Sequence, residues 1–323
     1  MSSSIVRRGL VSLAAVALTA VTAFSGVGSA TAKQDVAPAP QVAQAPQVAA
    51  QPSDPSTTGG EGDFNMFAKA DAGLAYGTAW TSTSAWNTVK YNRAYKTGRI
   101  YPSQCGQPKY ALNGSNNILA WHRSYGYCLN KSWVGKIQAA GYKFVAPTWV
   151  IYTKPFNTKC GWANGTRAFY CSATNGIYIP VNPIVQGYKS NPRFNLVRVM
   201  QTAGHEYGHH VQKLTNILSA SWYRQAYVIP TTAKDLEENR RVELQATCWS
   251  AAYIGSNRGY LGMTGARLSD WKWHIAHIGD EYNNGGPRTH GSRSSNNWWA
   301  TNGFNYMNVG SCATWNGSSS IVD

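Results

Sequence analysis

The chain has 323 residues, 43% of them hydrophobic, so it can bury a sizeable core and wholesale disorder is excluded. Lys and Arg number 29 against 14 Asp and Glu, a formal charge of +15, yet charged residues make up only 13% of the chain, so the polar surface rests on Asn, Ser, Thr, Gly and Tyr. Beyond the first 30 residues no apolar run is long enough to span a bilayer, which excludes a polytopic membrane protein.

The N-terminus reads as an address. Arg7 and Arg8 form a basic n-region, Leu10 to Phe24 is a run of small and apolar residues, and Ala30-Thr31-Ala32 supplies small residues for signal peptidase. These features predict a signal peptide over residues 1–32, cut after Ala32, and hence a secreted, extracellular protein. Residues 33–62 are rich in Ala, Pro and Gln, with Ala-Pro-Gln-Val-Ala at 39–43 and again at 45–49. Such a segment has no hydrophobic face to bury and is expected to be a disordered linker or pro-segment. One folded domain is expected over 63–323.

Between Asp71 and Glu206 there is no acidic residue, while 15 Lys or Arg and many Trp and Tyr occur. This composition describes either a solvated cationic face or attraction to a polyanion such as an anionic cell-surface polymer. No helix-turn-helix, zinc-finger or RNA-binding signature points to a specific nucleic acid. Two β-rich segments follow in order, 143–153 and 176–181. The six Cys are Cys105, Cys128, Cys160, Cys171, Cys248 and Cys312. Their even number fits pairing in an oxidising compartment, and none forms a Cys-x-x-Cys zinc knuckle. Sequence alone leaves many pairings open. Joining neighbours suggests Cys105–Cys128, Cys160–Cys171 and Cys248–Cys312.

The strongest local signal is His205-Glu206-Tyr207-Gly208-His209. Apolar residues at Leu196, Val199, Met200, Ala203, Tyr207, Val211, Leu214 and Leu218 have helical spacing, predicting a helix over 195–219 with Pro192 just before it. On that helix His205 and His209 lie one above the other, so both imidazoles can reach one metal ion. Glu206, about 100° round the helix, can face a metal-bound water without ligating the metal. This pattern is the one zinc hydrolysis needs: zinc makes the water acidic and the carboxylate takes its proton. His210 falls off the ligand stripe and is expected to pack.

A catalytic zinc takes a third protein ligand. Downstream candidates are Asp235, Glu237, Glu238, Glu243, Asp270, Asp280, Glu281 and His290. Asp235 reads as a helix N-cap with Glu238 completing a capping box, which gives Glu237 and Glu238 a first-turn role. Glu243 lies mid-helix among Val242, Leu244, Ala246 and Trp249, where a carboxylate is costly unless paired or bound to metal. Glu243 is therefore the expected third ligand. The stretch from Asn283 to Asn297 reads as a loop.

The runs His-Glu-Tyr-Gly-His-His-Val-Gln at 205–212 and Arg-Val-Glu-Leu-Gln-Ala at 241–246 resemble the bacterial neutral zinc metallopeptidase family. The similarity extends to Cys160-Gly, Ala168-Phe-Tyr-Cys171, Ile177-Tyr-Ile and Thr289-His-Gly291, covering roughly 125 to 315. It implies an α+β, zincin-like fold: a small sheet, then an active-site helix, then a second ligand-bearing helix. It also implies one Zn2+ per chain held by His205, His209 and Glu243, with Glu206 as base, and it supports Cys160–Cys171 and Cys248–Cys312. The chain departs from the family at Thr247, where an Asp usually orients a ligand His, and at Ser294, Ser295 and Asn296, where Glu-Gln-Arg is usual.

The function expected is that of an exported zinc metallopeptidase, an endopeptidase acting on peptide or protein substrates. His290 is expected to reach over the zinc and stabilise the oxyanion formed by water attack. The alternatives are a catalytically impaired zincin-like protein, or a cationic module that binds anionic cell-surface polymer.

Overall fold

The computed structural model describes residues 80–282 and 286–323. The expected signal segment 1–32 and linker 33–62 lie outside the described residues. So does residues 63–79, the start of the expected domain.

Helix α1 (Ser82–Lys90) is opened by a capping box in which Thr81 and Ser84 exchange side-chain and backbone hydrogen bonds. Helix α2 (Ser115–Ala139) buries Ile118, Trp121, Tyr125, Leu129, Trp133 and Ile137 along one side. The tryptophans of the basic stretch thus divide between core and surface: Trp121 and Trp133 are buried, while Trp162 is exposed.

Strands β1 (Thr148–Tyr152), β4 (Phe169–Cys171) and β5 (Gly176–Pro180) form one sheet in the order β1-β5-β4. β1 runs parallel to β5, with Ile151 opposite Ile179, and β4 runs antiparallel to β5. All five residues of the central strand β5 are buried, as expected for a strand covered on both faces. A hairpin of β2 (Phe156–Thr158) and β3 (Gly161–Ala163) lies between β1 and β4 in the chain, and Cys160–Cys171 ties it to β4. The first β-rich segment is therefore a shorter strand than its composition predicts, starting at Thr148.

Pro180 ends β5 and precedes α3 (Val181–Ser190). Helix α4 spans Pro192–Leu214, with Asn191 as N-cap accepting from the Phe194 N–H at 3.0 Å and Pro192 in the first turn. It begins before 195 and ends before 219. At Asn216 the backbone enters the left-handed region (φ 64°), and Thr215 Oγ1 bonds back to the Val211 carbonyl at 2.8 Å. A separate helix α5 (Ile217–Tyr227) carries Leu218, so the apolar periodicity runs on across a break.

Helix α6 (Thr232–Ser256) is capped by Thr231, which accepts from the Lys234 N–H, so Asp235 is a first-turn residue and not the N-cap. Glu238 does more than face the dipole: its carboxylate takes the Arg224 guanidinium at 3.0 and 3.2 Å and the Trp315 indole N–H at 3.0 Å. Helix α7 (Gly265–His277) and helix α8 (Arg293–Tyr306) complete the helical layer. α8 starts inside the stretch read as loop, because Ser292 caps it by accepting from the Ser295 N–H at 3.1 Å.

The core centres on α4, α6 and α8. α4 and α6 approach closely because Gly204 and Gly208 face Ser250 and Ala246; a β-carbon at 208 would lie 2.8 Å from the Ala246 Cα. Disulfides join Cys105 to Cys128 and Cys248 to Cys312, the latter anchoring α6 to the C-terminal segment. No described helix is long and apolar enough to cross a membrane. A small mixed sheet followed by the two helices α4 and α6 makes this an α+β fold.

Candidate functional site: a His-His-Glu centre in a cleft

The close approach of α4 and α6 brings three donor atoms together. His205 and His209 stand one turn apart on α4, and Glu243 faces them from α6. Glu243 Oε2 lies 3.0 Å from His205 Nε2 and 3.3 Å from His209 Nε2, and the two Nε2 atoms are 3.0 Å apart. In a tetrahedron with bonds of about 2.0–2.1 Å, neighbouring donors stand about 3.3 Å apart, close to the triangle found here. These three residues form a group that could hold a metal ion.

Each imidazole is held from behind. His205 Nδ1 lies 3.1 Å from Thr247 Oγ1, and His209 Nδ1 lies 2.9 Å from Gln212 Oε1. Gln212 is itself fixed, since its amide N–H groups donate to the Val242 carbonyl at 2.8 Å and to Gln245 Oε1 at 3.1 Å. An amide oriented this way presents only its oxygen to His209, so Nδ1 donates to it and Nε2 is the atom turned toward His205 and Glu243. Gln245 passes the chain on to Tyr95 Oη and the Cys312 carbonyl. The sequence reading missed Gln212 and Gln245; the signal was their place one turn after His209 and two residues after Glu243.

The charges at the centre support one another. Burial opposes ionisation of Glu243, but His209, His290 and His205 hold its carboxyl well below the usual range. Burial likewise works against a charged His209, but the Glu243 carboxylate beside it raises it to about 9. Glu206 is 7% exposed, and burial pushes its carboxyl up, with the Glu243 charge adding to the rise. His210 is buried off to the side, its Nε2 2.7 Å from the Val145 carbonyl, and burial pushes it down to about 4.

His205, Glu206 and Glu243 line a cleft of about 450 Å³, together with Thr247, Arg198, His290 and Asn296, while His209 is buried behind them. His290 stands at its edge with its side chain about half exposed, Nε2 3.7 Å from Glu243 Oε2. Its Nδ1 is 2.9 Å from Thr289 Oγ1, and its backbone N–H donates to the Asp280 carboxylate. Asn296, one of the residues that depart from the family pattern, donates to the carbonyls of His290, Gly291 and Ser292 at 3.0–3.2 Å. It ties the His290 loop to the first turn of α8. Of the other acids named from sequence, Glu237 pairs with Arg241, Asp270 with Arg193, and Glu281 accepts from the Arg293 N–H, while Asp235 stands in the first turn of α6 away from the cleft lining.

A family model described as "Putative neutral zinc metallopeptidase" matches residues 107–315, more than half of the chain. No curated protein and no solved structure matches it.

Proposed function

The chain belongs to the neutral zinc metallopeptidase family, and from that premise we propose that it is an exported endopeptidase with one zinc ion held by His205, His209 and Glu243. The observation that carries this reading is the triangle of two imidazole Nε2 atoms and a carboxylate oxygen, 3.0–3.3 Å on each side, next to the buried Glu206. Two imidazoles and a carboxylate are a donor set that suits zinc and leaves a coordination position open. Bound there, zinc would supply an acidified water and a Lewis acid for a peptide carbonyl.

The chain's own residues do the rest. Glu206 takes the proton of the attacking water and delivers it to the departing amine. A carboxyl raised by burial is better matched to both transfers than a solvated one. Thr247 and Gln212 hold the two rings so that both Nε2 atoms are aimed at one point. His290 stands where a peptide entering the cleft passes and donates a hydrogen bond to the oxyanion, a contact made mainly in the transition state. Residues 166–168 line the cleft just before β4, and an extended substrate would lie along them.

Thr247 decides between an active and an impaired enzyme. Its hydroxyl still meets His205 Nδ1 at 3.1 Å, so the position keeps its orienting contact although it lacks a charge; this favours activity. Export rests on the predicted signal segment and accords with three disulfides. The test is zinc stoichiometry of the purified secreted chain, with hydrolysis of a mixed peptide library before and after chelation. The expected result is one zinc and cleavage that chelator stops and zinc restores. A chain that binds no zinc, or cleaves equally without it, overturns the reading.

A further inference from the structure

Arg198 is a half-buried guanidinium without a carboxylate partner among the described residues. It lies on α4 two turns before His205, on the same side of the helix, and lines the same cleft. Its Nη2 donates to the Pro183 carbonyl at 3.1 Å and to Asn195 Oδ1 at 2.7 Å, which uses both Nη2 hydrogens. Nε and Nη1 have no acceptor within the described residues, and no described acid forms an ion pair with Arg198. Burial pushes its pKa down, a sign of the cost of keeping this charge from water.

A recess of about 40 Å³ adjoins the cleft at this point. It shares Thr166, Ala168, Arg198 and Thr202 with the cleft, and Ile179, Ile184, Val199 and the neutral His122 are among its other walls. At roughly 10–15 Å³ per water-sized atom it has room for about three such atoms, the size of a carboxylate group. The free guanidinium donors fit such an anion, and the small volume excludes a large side chain. Along the helix, two turns place Arg198 about 10 Å from His205, which an extended peptide covers in about three residues.

We propose that Arg198 and its recess form the specificity subsite of the cleft and bind a substrate carboxylate within two or three residues of the bond cleaved. The carboxylate comes from an Asp or Glu side chain or from the C-terminus of a short peptide. The inference rests on the peptidase reading above and adds a substrate class to it.

The test uses the zinc-loaded full chain and fluorogenic peptides that differ at one position near the scissile bond, as Asp, Glu, Asn or Ala, each with a free or amidated C-terminus. A charged hydrogen bond in a recess of this kind favours the acidic peptide over its Asn counterpart by about 10- to 100-fold in kcat/KM, mainly through KM. If the terminus is the source, the ratio appears between acid and amide instead. Arg198→Met brings the acidic-to-neutral ratio to about one, and Arg198→Lys retains part of it. Binding of the same peptides to Glu206→Gln, with and without Arg198→Met, gives the ratio independently of turnover. Equal treatment of acidic and neutral peptides by the wild type overturns the subsite. So does an Arg198→Met variant that weakens all peptides alike and keeps the ratio, because that is what a purely structural brace for α3 would do. Hydrolysis of the whole set with no charge preference leaves the peptidase reading standing, whereas a chain that cleaves none refutes that reading and this inference with it.

Discussion

Gly208→Ala strains the contact on which the proposed zinc centre depends. The added β-carbon would meet the Ala246 Cα at 2.8 Å and the Ala246 Cβ and carbonyl oxygen at 3.0 Å. Carbon atoms pack comfortably at about 3.5–4.0 Å, so α4 and α6 must part by close to ~1 Å, and the obstacle is backbone that cannot swing aside. Overpacking of this kind costs about 1–3 kcal/mol, against about 1 kcal/mol that Ala otherwise gains over Gly within a helix. Metal sites tolerate shifts of only about 0.2 Å in ligand distance, and Glu243 sits on α6 three residues before Ala246. The variant is expected to bind zinc about 10- to 100-fold more weakly while remaining folded, since each tenfold step is about 1.4 kcal/mol. Competition against a chromophoric chelator measures the affinity, and denaturant unfolding of the zinc-free protein measures the packing cost. Gly135→Ala is the control: it lies on α2, a β-carbon there meets nothing within 4 Å, and it is expected to leave zinc affinity unchanged and stability equal or slightly higher. Zinc affinity and unfolding midpoint of Gly208→Ala both equal to wild type would refute the close approach of the two helices.

Three further outcomes are expected. Thr247→Asp puts a carboxylate behind His205 Nδ1 and is expected to raise zinc affinity or turnover, within a range of about 10- to 100-fold; chelator competition and steady-state rates that do not improve would mean that the Thr247 hydroxyl already suffices. His290→Ala is expected to lower kcat by roughly 10²–10³ with little change in KM or zinc content, as measured by peptide kinetics and metal analysis; a normal kcat would return His290 to the rim of the cleft. His122 is buried, its Nδ1 donates to the Ile118 carbonyl at 2.7 Å, and burial pushes it down to about 4. Because its folded pKa lies below the ordinary 6.5, the unfolded chain gains the proton first. The stability from a neutral His122 is therefore complete above pH 6.5 and is lost as pH falls from 6.5 toward 4, by about 3 kcal/mol across that window. His122→Gln should flatten urea-unfolding stability between those pH values, and an unchanged acid slope would contradict the assignment.

What the sequence revealed was mostly local. The four-residue spacing of His205 and His209 on an apolar-periodic segment is a property of one helix, so it is readable without knowing the neighbours. Glu243 stood out because a carboxylate among Val242, Leu244 and Trp249 demands a partner, although which partner depends on how α4 meets α6. Helix ends were misread where two signals competed. The apolar pattern runs through Leu218, but the left-handed Asn216 and the Thr215 back-bond break the helix in between. Asp235 and Glu238 imitate a capping box, while Thr231 does the capping and Glu238 is drawn into the Arg224 and Trp315 contacts. The short strands β2 and β3 carry too few residues to show a period and owe their pairing to the hairpin and Cys160–Cys171. Gln212 and Arg198 escaped, and Asn296 showed only as a departure from the family pattern, because their meaning lies in what they touch across the fold.

The central claim is that Glu206 moves the proton of water at a zinc centre it does not help to build. The most direct measurement is product analysis by mass spectrometry on one peptide mixture, incubated with wild type and with Glu206→Gln after metal analysis of both. The account predicts equal zinc content in the two proteins, cleavage by the wild type, and loss of nearly all cleavage in Glu206→Gln, because the substitution removes the base and leaves His205, His209 and Glu243 in place. Undiminished cleavage by zinc-loaded Glu206→Gln would contradict it.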